Sequence, residues 1–307
     1  MSRTHQGDLP LVTVIVPARN AADTLGDCLA ALLAVDYPAE RCEIVVVDNG
    51  SSDGTAALAR SRAVRCIHEP RRGSAHARNA GVAAARGELL VFTDADCLPS
   101  TGWLRAIAER FRDPEVGAVA GEILPYPPRT ATERHAARIR HLSPRRYLSR
   151  PILPFAVTAN LAFRREVLQR IGPFDHRSPH GGESTDICTR FFRATELQLV
   201  PEPRAVVLHR HRSTLRGFLR QQWGYGRGHA FLYRKYADEA PWGWRQTARA
   251  WADVGRSLAL VARTARRALA GTETRGELSF VSLDFLRKLA LRLGFVHEVF
   301  ARGRPRP

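Results

Sequence analysis

Residues 87–96 read Gly-Glu-Leu-Leu-Val-Phe-Thr-Asp-Ala-Asp, an apolar run that ends in two carboxylates one residue apart. The run predicts a buried strand, and because side chains alternate along a strand, Asp94 and Asp96 share a face where it ends. Paired carboxylates suit a hard divalent cation, Mg²⁺ or Mn²⁺, which can in turn hold a diphosphate. Ligands bind at this edge of open α/β sheets, so the stretch predicts a ligand-binding edge.

The residues before this stretch alternate between apolar strands and helices. The patterns predict strands at 11–16, 43–48, 64–68 and 88–93 and helices at 21–35, 55–62 and 74–86. Such alternation is typical of an α/β fold with a parallel sheet and right-handed crossovers. The strand ends at Pro17, Asp48 and Asp94 then face one edge.

The sequence after residue 100 is less regular. It predicts helices at 103–111, 166–171 and 186–195 and strands at 116–123, 156–163 and 205–209. The proline- and arginine-rich segment 125–154 suits a mobile loop with one helix. From Leu215 onward the pattern changes to long basic amphipathic helices, so we place a domain boundary near residue 215.

The composition bounds the class of protein. The 307 residues include five scattered cysteines without a C-x-x-C pair, which argues against a disulfide framework or a zinc site and fits a reducing compartment. No signal peptide and no membrane-length apolar run is recognised. The net charge of +17 is almost entirely arginine and favours anionic partners, although arginine enrichment also follows from codon bias. We expect a cytoplasmic protein. Peripheral association with the inner face of the cell membrane is a further expectation.

Several motifs appear in a characteristic order. They are residues 14–20 (Val-Ile-Val-Pro-Ala-Arg-Asn), 46–55 (Val-Val-Asp-Asn-Gly-Ser-Ser-Asp-Gly-Thr), 77–81 (Ala-Arg-Asn-Ala-Gly), 92–96 (Phe-Thr-Asp-Ala-Asp), 158–165 (Thr-Ala-Asn-Leu-Ala-Phe-Arg-Arg), 172–175 (Gly-Pro-Phe-Asp) and 182–186 (Gly-Glu-Ser-Thr-Asp). This series resembles the family 2 glycosyltransferases of the GT-A fold, over about the first two-thirds of the chain. The resemblance implies a mostly parallel, Rossmann-like sheet flanked by helices, followed here by a C-terminal basic helical extension.

The resemblance also implies roles for residues near the nucleotide. Pro17, Ala18, Arg19 and Asn20 would line the nucleotide pocket. Asp48 would accept a hydrogen bond from the base or ribose, and Arg78 would approach the polar groups of the nucleotide. The competing interpretation is that Arg78 is an exposed arginine on the surface of a helix. Neither a G-x-G-x-x-G nor a Walker sequence is present, so diphosphate binding would depend on a metal.

The metal site implied by the resemblance is built on the two carboxylates. Asp94 would lie near the ribose and the metal, and Asp96 would be the direct ligand. His209 ends a predicted strand and is offered as a third ligand, with His211 as the alternative. Arg227, in the segment 221–228, would act as a cation over the donor diphosphate. A core-packing role for the aromatic residues of that segment is the competing interpretation.

The general base is where the sequence departs from the family. The usual pattern is Gly-Glu-Asp-x-Asp with the first aspartate as base, and Ser184 stands in its place. A serine cannot accept the proton unaided near neutral pH, so Glu183 or Asp186 has to serve, with Glu183 slightly preferred. The alternative is that both residues only cap the following helix, where acidic side chains favour the dipole.

The resemblance implies a metal-dependent, inverting transfer of a sugar from a UDP-, GDP- or dTDP-sugar to a hydroxyl of a glycan, a lipid-linked sugar or a small molecule. The catalytic domain would be residues 1–215, with donor binding in 11–123 and the acceptor and base region in 124–215. The helical region 216–307 would either lie on an anionic membrane surface or pack on its own domain.

Three other functions compete with this one. The first is a family member that has lost its general base and binds nucleotide sugars without turnover. The serine at position 184, in place of the usual aspartate, favours this alternative. A nucleotidyltransferase would need a glycine-rich opening loop that the sequence lacks. Nucleic-acid binding has only the positive charge in its favour, and no nucleic-acid partner is expected.

Overall fold

The computed structural model describes residues 9–140, 142–178 and 181–301. Its eight strands are β1 Val12–Ala18, β2 Cys42–Asp48, β3 Arg65–His68, β4 Leu89–Thr93, β5 Cys97–Pro99, β6 Val116–Pro125, β7 Asn160–Arg164 and β8 Gln198–His209. They form one sheet in the order β3-β2-β1-β4-β7-β6-β8-β5. Because β1 lies between β2 and β4, the chain has crossed over the sheet between successive strands, as the alternating pattern predicts.

The sheet has a parallel half and an antiparallel half. β1 pairs in parallel with β2 and β4, and β2 pairs in parallel with β3. Beyond β4 the pairing changes: β7 runs antiparallel to both β4 and β6, and β5 runs antiparallel to β8. The predicted α/β fold class is confirmed, and the parallel arrangement predicted for the first hundred residues holds for their four major strands.

The helices alternate with the strands in the first half of the chain and follow one another at its end. They are α1 Ala22–Leu33, α2 Thr55–Arg60, α3 Ser74–Ala84, α4 Trp103–Arg110, α5 Ala131–Arg138, α6 Pro144–Leu148, α7 Arg165–Ile171, α8 Glu183–Ala194, α9 Leu215–Lys235, α10 Trp244–Leu269 and α11 Arg275–Ala301, with a 3₁₀ turn at Ala39–Arg41. Segment 125–154, expected to be a loop with one helix, carries two short ones. Thr130 and Glu133 form a capping box at the start of α5.

Two predicted strands have different starts in the structure. β7 begins at Asn160 rather than 156, and β8 begins at Gln198 rather than 205. The first half of β8 contains Pro201 and Pro203, which lack a backbone donor and therefore weaken a strand pattern in sequence. Burial alternates only weakly along residues 198–204 of β8, so the apolar pattern in the sequence begins near Ala205.

The two faces of the sheet carry separate cores. Alternate residues of β1 point to opposite sides, so Val14 and Val16 pack in one cluster while Ile15 packs in the other. The first cluster includes Leu25 and Leu29 of α1. Burial on both faces explains why these strands read as continuous apolar runs.

The structure divides into two compact units. The first lies within Met1–Leu124, Leu142–His176 and Ser184–His209 and contains the sheet, and the second lies within Pro125–His141, Arg177–Glu183 and Arg210–Pro307. In the second unit α11 packs against α5, α9 and α10. A methyl group at Gly226 of α9 would lie 2.8 Å from the backbone nitrogen of Phe295, so glycine permits the close approach of α9 and α11. None of the helices among the described residues is long and apolar enough to cross a membrane.

Candidate active site

The two carboxylates predicted from the sequence lie in the turn between β4 and β5. β4 ends at Thr93 and β5 begins at Cys97, whose partner across the β5–β8 ladder is His209. This register places Nε2 of His209 3.5 Å from Oδ1 of Asp96. The antiparallel pairing therefore brings together two residues that are far apart in sequence and that were both proposed as metal ligands.

The donor set fits a hard divalent cation. Side-chain ligand atoms of Asp96, Cys97 and His209 all lie within 4.8 Å of one another. Burial, followed by the charges of Asp96 and Asp94, raises the pKa of the Cys97 thiol well above its ordinary value, so it stays protonated and is a poor ligand. Carboxylate oxygen and imidazole nitrogen remain, and these are donors that Mg²⁺ or Mn²⁺ accepts.

Arg78 is fixed beside the first carboxylate. Its Nη2 donates to Oδ1 of Asp94 at 3.0 Å, and only 7% of its side chain is exposed, so it is not the exposed helix arginine of the competing interpretation. Its buried Nε has no hydrogen-bond partner among the described residues. A buried donor of this kind is costly unless a ligand or water satisfies it, which is typical of a binding site.

A paired amide supports the helix that carries Arg78. Asn79 Nδ2 donates to the carbonyl of Phe174 at 2.8 Å, and the Phe174 N–H donates back to Oδ1 of Asn79 at 2.8 Å. The guanidinium carbon of Arg78 lies 5.9 Å from the centre of the Phe174 ring. Two of the sequence motifs, 77–81 and 172–175, are therefore in direct contact, and they hold the arginine in place.

Asp48 ends β2, and it is 3% exposed. Its Oδ1 accepts the backbone N–H of Ser51 at 3.2 Å, and Nδ1 of His68 lies 3.0 Å from its Oδ2. Burial raises the pKa of Asp48, but the hydrogen bonds to Ser51 and His68 outweigh that effect and hold it below its ordinary value. The side chain is therefore an ionised acceptor at neutral pH, as a residue that binds a ribose or base requires.

The predicted pocket residues 17–20 are joined to the loop after β2. Asn20 has a left-handed backbone (φ 47°), and its side-chain oxygen accepts the Ser52 N–H at 2.9 Å. Its own N–H donates to Oγ of Ser51 at 3.1 Å. Pro17 is half-buried and Ala18 buried, whereas the side chains of Arg19 and Asn20 are exposed.

The region of the missing aspartate contains three polar side chains with different surroundings. Oγ of Ser184 lies 3.1 Å from Oγ1 of Thr158 and 3.3 Å from the Thr158 backbone nitrogen, which donates to it. Asp186 is fully buried, and its Oδ2 accepts both Nε and Nη2 of Arg190, at 3.1 and 3.0 Å. Arg190 also donates to the carbonyls of residues 171–173. Asp186 therefore anchors α8 to the preceding loop.

Glu183 begins α8 and belongs to the second unit. It is buried, and its Oε2 accepts the N–H of Gly181 at 2.8 Å. Gly181 has φ 101°, which an L side chain rarely adopts. A methyl group at Gly228 of α9 would lie 2.8 Å from both the Gly181 carbon and the Gly182 nitrogen. Gly228 therefore lets α9 contact the backbone that leads into Glu183.

Arg227 lies on α9, where Nε donates to Oε2 of Glu298 on α11 at 2.8 Å. Its role over the diphosphate stays a prediction, as does that of His211. A cavity of about 690 Å³ lies elsewhere in the first unit and contains none of the predicted site residues. It is lined by apolar residues such as Leu148, Phe192 and Leu199.

Sequence reasoning missed two residues of this region. His68 is the partner of Asp48 in the β2–β3 ladder, and the predicted strand 64–68 already ended on it, so its pairing was the missing step. Arg190 lies four residues after Asp186 on one helix, and such spacing is itself a signal for an ion pair. Recognising it would have separated Asp186 from Glu183.

Comparison with known proteins places the chain in a family. The profile of "Glycosyl transferase family 2" matches residues 13–172, just over half of the chain, and the chain belongs to this family. Glycosyltransferase AglE of Haloferax volcanii is 34% identical over 183 residues, which are 57% of this chain and 59% of that protein. The pre-mycofactocin glycosyltransferase of Mycobacterium tuberculosis is 30% identical over 240 residues, 74% of this chain and 48% of that protein. The chain thus spans about half of the length of these curated relatives.

Solved structures show the same fold. The mannosyltransferase PcManGT from Pyrobaculum calidifontis, solved with GDP-Man and Mn²⁺, has a TM-score of 0.67 at 24% identity and covers 97% of this chain and 89% of its own. Glucosyl-3-phosphoglycerate synthase from Mycobacterium tuberculosis, solved with Mn²⁺, UDP-glucose and phosphoglyceric acid, has a TM-score of 0.54 at 20% identity, over 76% and 84% of the chains. The predicted GT-A fold is confirmed.

Proposed function

We propose that the chain is a metal-dependent, inverting glycosyltransferase that moves a hexosyl or related group from a nucleoside-diphosphate sugar to an acceptor hydroxyl. The observation that carries the proposal is the cluster after β4, where Arg78 contacts Asp94 and His209 lies beside Asp96. Family membership supports the reaction class, and two structural neighbours were solved with Mn²⁺ and a nucleotide sugar.

Asp96 and His209 would hold the metal, with Asp94 beside them. When bound, the cation supplies Lewis-acid stabilisation of the negative charge that develops on the departing diphosphate. Arg78 provides a fixed positive charge next to Asp94. Asp48 would accept a hydrogen bond from the base or ribose. Each of these groups is positioned by an element of the first unit before any ligand arrives, which favours stabilisation of the leaving group.

We propose Glu183 as the general base. It would take the proton of the acceptor hydroxyl while that oxygen bonds to the anomeric carbon and the bond from this carbon to the diphosphate breaks. Attack from the face opposite to the leaving group inverts the configuration. The burial of Asp186 and its two bonds to Arg190 support this preference, because that carboxylate already has a structural role.

The domain assignment and cellular setting are part of the same proposal. Residues 1–215 would be the catalytic domain and 216–307 a helical accessory region, in the cytoplasm. The donor would be a UDP-, GDP- or dTDP-sugar. The acceptor would be a glycan, a lipid-linked sugar or a small molecule.

The test is binding and hydrolysis across a panel of UDP-, GDP- and dTDP-sugars with Mn²⁺, Mg²⁺ or EDTA. We expect one donor to bind only with metal and to release its nucleoside diphosphate slowly, with faster release when an acceptor is present. Absence of binding to every donor would contradict the proposal.

The second candidate is a relative that binds nucleotide sugars without transferring them, and Ser184 is the observation in its favour. Ser184→Asp separates the two. In a chain that lacks a base, the new carboxylate should create turnover. In a transferase that uses Glu183, it should leave turnover nearly unchanged or lower it, because a second buried negative charge next to Glu183 disfavours ionisation of both.

A further inference from the structure

Helix α10 has one face inside the second unit. Its buried residues are Val254, Ser257 and Thr264, spaced three and seven residues apart, and the helix packs against α11. This face satisfies the packing requirement of an amphipathic helix in a folded protein. Packing of the C-terminal helices on their own domain, the competing interpretation, therefore explains this face of α10. It does not explain the other faces of the helix.

A second face of α10 is apolar and exposed. Its residues follow one another at spacings of four and three along the whole helix: Trp244, Ala248, Trp251, Gly255, Leu258, Ala262, Ala265 and Leu269. All but Ala265 are exposed, including Trp244 at 76%, Leu258 at 52% and Leu269 at 91%. We call this set the apolar stripe. Large aromatic and aliphatic side chains aligned in this way are a typical sign of an interaction surface.

The rest of the exposed surface of α10 is rich in arginine. Six arginines of the helix are exposed: Arg245, Arg249, Arg256, Arg263, Arg266 and Arg267. The single acidic residue of the helix, Asp253, lies 3.1 Å from Nζ of Lys288 and 3.4 Å from Nη2 of Arg256, which neutralise it. The outward charge of α10 is therefore positive, in a chain whose net charge is +17.

We infer that α10 binds the surface of an anionic lipid bilayer, with the apolar stripe in the headgroup region and the arginines against the phosphates. Tryptophan is well suited to that boundary because its ring is apolar and its N–H is polar. Long arginine side chains can extend from beside the stripe to the headgroups. An apolar face with a basic flank and low mean hydropathy defines a helix that lies on a membrane without crossing it.

Charge decides between this occupant and a second copy of the chain. A second copy would bring the same arginines and the same large positive charge, which opposes association. A nucleic acid would match the charge but would offer no hydrophobic layer for leucine side chains. An anionic bilayer supplies both the negative charge and the apolar layer. The inference does not depend on the proposed sugar transfer.

The experiment is flotation of the full chain with vesicles of phosphatidylcholine alone or with about one-third phosphatidylglycerol, at low and high salt. We expect binding to the anionic vesicles only, weakened by salt. Leu258→Glu should reduce that binding at least about tenfold, since it places a charge in the apolar layer. Leu260→Glu is the matched control, because Leu260 is a leucine of comparable exposure (45%) on the same helix but outside the stripe. It should reduce binding far less.

A charge variant tests the other half of the inference. Combining Arg249→Gln, Arg263→Gln and Arg267→Gln should weaken anionic binding on the order of a hundredfold, from about fivefold per basic residue. Equal losses in Leu258→Glu and Leu260→Glu would overturn the role of the stripe. Absence of vesicle binding would overturn the inference, and so would a dimer that Leu258→Glu dissociates while vesicles remain unbound. Because the readout is vesicle binding, a failed transferase assay would leave this result unaffected.

Discussion

Carboxylates lie at both edges of the parallel half of the sheet, and they differ in their hydrogen bonds and exposure. At the amino edge, Glu43 of β2 accepts four hydrogen bonds from described residues: Thr13 Oγ1 at 2.8 Å, the Arg86 N–H and Nε at 2.9 Å each, and Arg65 Nη1 at 3.3 Å. At the carboxyl edge, the side chain of Asp94 accepts one hydrogen bond from a described side chain, that of Arg78, and 30% of it is exposed.

We interpret this difference as the one between a structural carboxylate, Glu43, and a carboxylate that we propose to bind a ligand, Asp94. Glu43 links β1, β2 and the segment between α3 and β4, so its charge is compensated within the fold. At the carboxyl edge, ligand atoms of Asp96 and His209 lie close together. Asp94 beside them binds Arg78, whose buried Nε has no hydrogen-bond partner among the described residues. A cation and a diphosphate would compensate those groups. Mutations at the carboxyl edge should therefore weaken ligand binding and leave stability nearly unchanged. Mutations at the amino edge should lower stability and leave ligand binding unchanged.

The largest effect is expected for Asp96→Ala. Removing a direct ligand should lower metal-dependent affinity for nucleoside diphosphates by more than about a hundredfold, because loss of even an outer-shell partner costs ten- to a hundredfold. The melting temperature should stay within a few degrees of that of the wild type. Calorimetric titration with UDP or GDP in Mn²⁺ measures the affinity. Asp36→Ala, which removes an exposed carboxylate bound to Arg105, is the control and should leave binding unchanged. Unchanged affinity in Asp96→Ala would refute the metal assignment.

The next effect is expected for Glu183→Gln. Transfer should slow at least about a hundredfold, the usual scale of a lost general base, while donor affinity is retained. Asp186→Asn is the matched variant, since it removes a carboxylate that resembles Glu43 in being bound within the fold. It should mainly lower stability. Single-turnover rates and thermal melts on both variants separate the two roles, and a loss of transfer confined to Asp186→Asn would reverse our assignment.

Glu43→Gln tests the amino edge. Loss of the charge from a buried, arginine-bound site should lower the free energy of unfolding by about 2 kcal/mol and leave donor affinity unchanged. Burial raises the pKa of Glu43, but its bonds to Thr13 and Arg86 and the Arg86 charge outweigh this and lower it. Because the folded pKa is the lower one, the stabilisation is present above about pH 4.3 and is lost as the pH falls through the folded value.

Urea unfolding of wild type and Glu43→Gln at several pH values checks this prediction. The gap in stability should be constant near neutral pH and should shrink below about pH 4, where the wild-type carboxylate gains a proton. Glu40→Gln, at an exposed glutamate, should show no gap. A gap that is the same at all pH values would mean that shape rather than charge stabilises the site.

The two edges also differ in how far the sequence predicts them. Asp94 and Asp96 are predicted from a single strand, because a period of two and an apolar run are local features. The contact of Asp96 with His209 depends on the register of β5 against β8, which no local pattern encodes. The same limit applies to Arg78, whose contact with Asp94 requires α3 and β4 to be packed.

The C-terminal region shows this limit on a single helix. Leu258 and Val261 of α10 are both apolar and lie three residues apart, so the periodic pattern places them on one apolar side. In the structure Leu258 is exposed while Val261 is half-buried. Periodicity shows that a helix is amphipathic, but the choice between two adjacent apolar sectors is made by the neighbouring helix.

The smallest effect is expected at Asp48. This carboxylate lies at the carboxyl edge, but like Glu43 it is hydrogen-bonded within the fold. This carboxylate accepts a backbone N–H and lies 3.0 Å from His68, whose side chain is 55% exposed. His68→Ala should therefore lower stability by less than about 1 kcal/mol, as for other solvent-exposed pairs. The lowered pKa of Asp48 means that this contribution is present above about pH 3.9 and is lost as the pH falls through the folded value.

Chemical unfolding at pH 5.5 and pH 3 should thus give a gap between wild type and His68→Ala that narrows at the lower pH. His68→Asn keeps a side-chain N–H near the position of Nδ1 and should recover part of the gap. If His68→Ala instead weakens nucleotide binding more than it weakens folding, His68 has a positioning role. It would then hold Asp48 oriented for the hydrogen bond that we propose Asp48 accepts from the nucleotide.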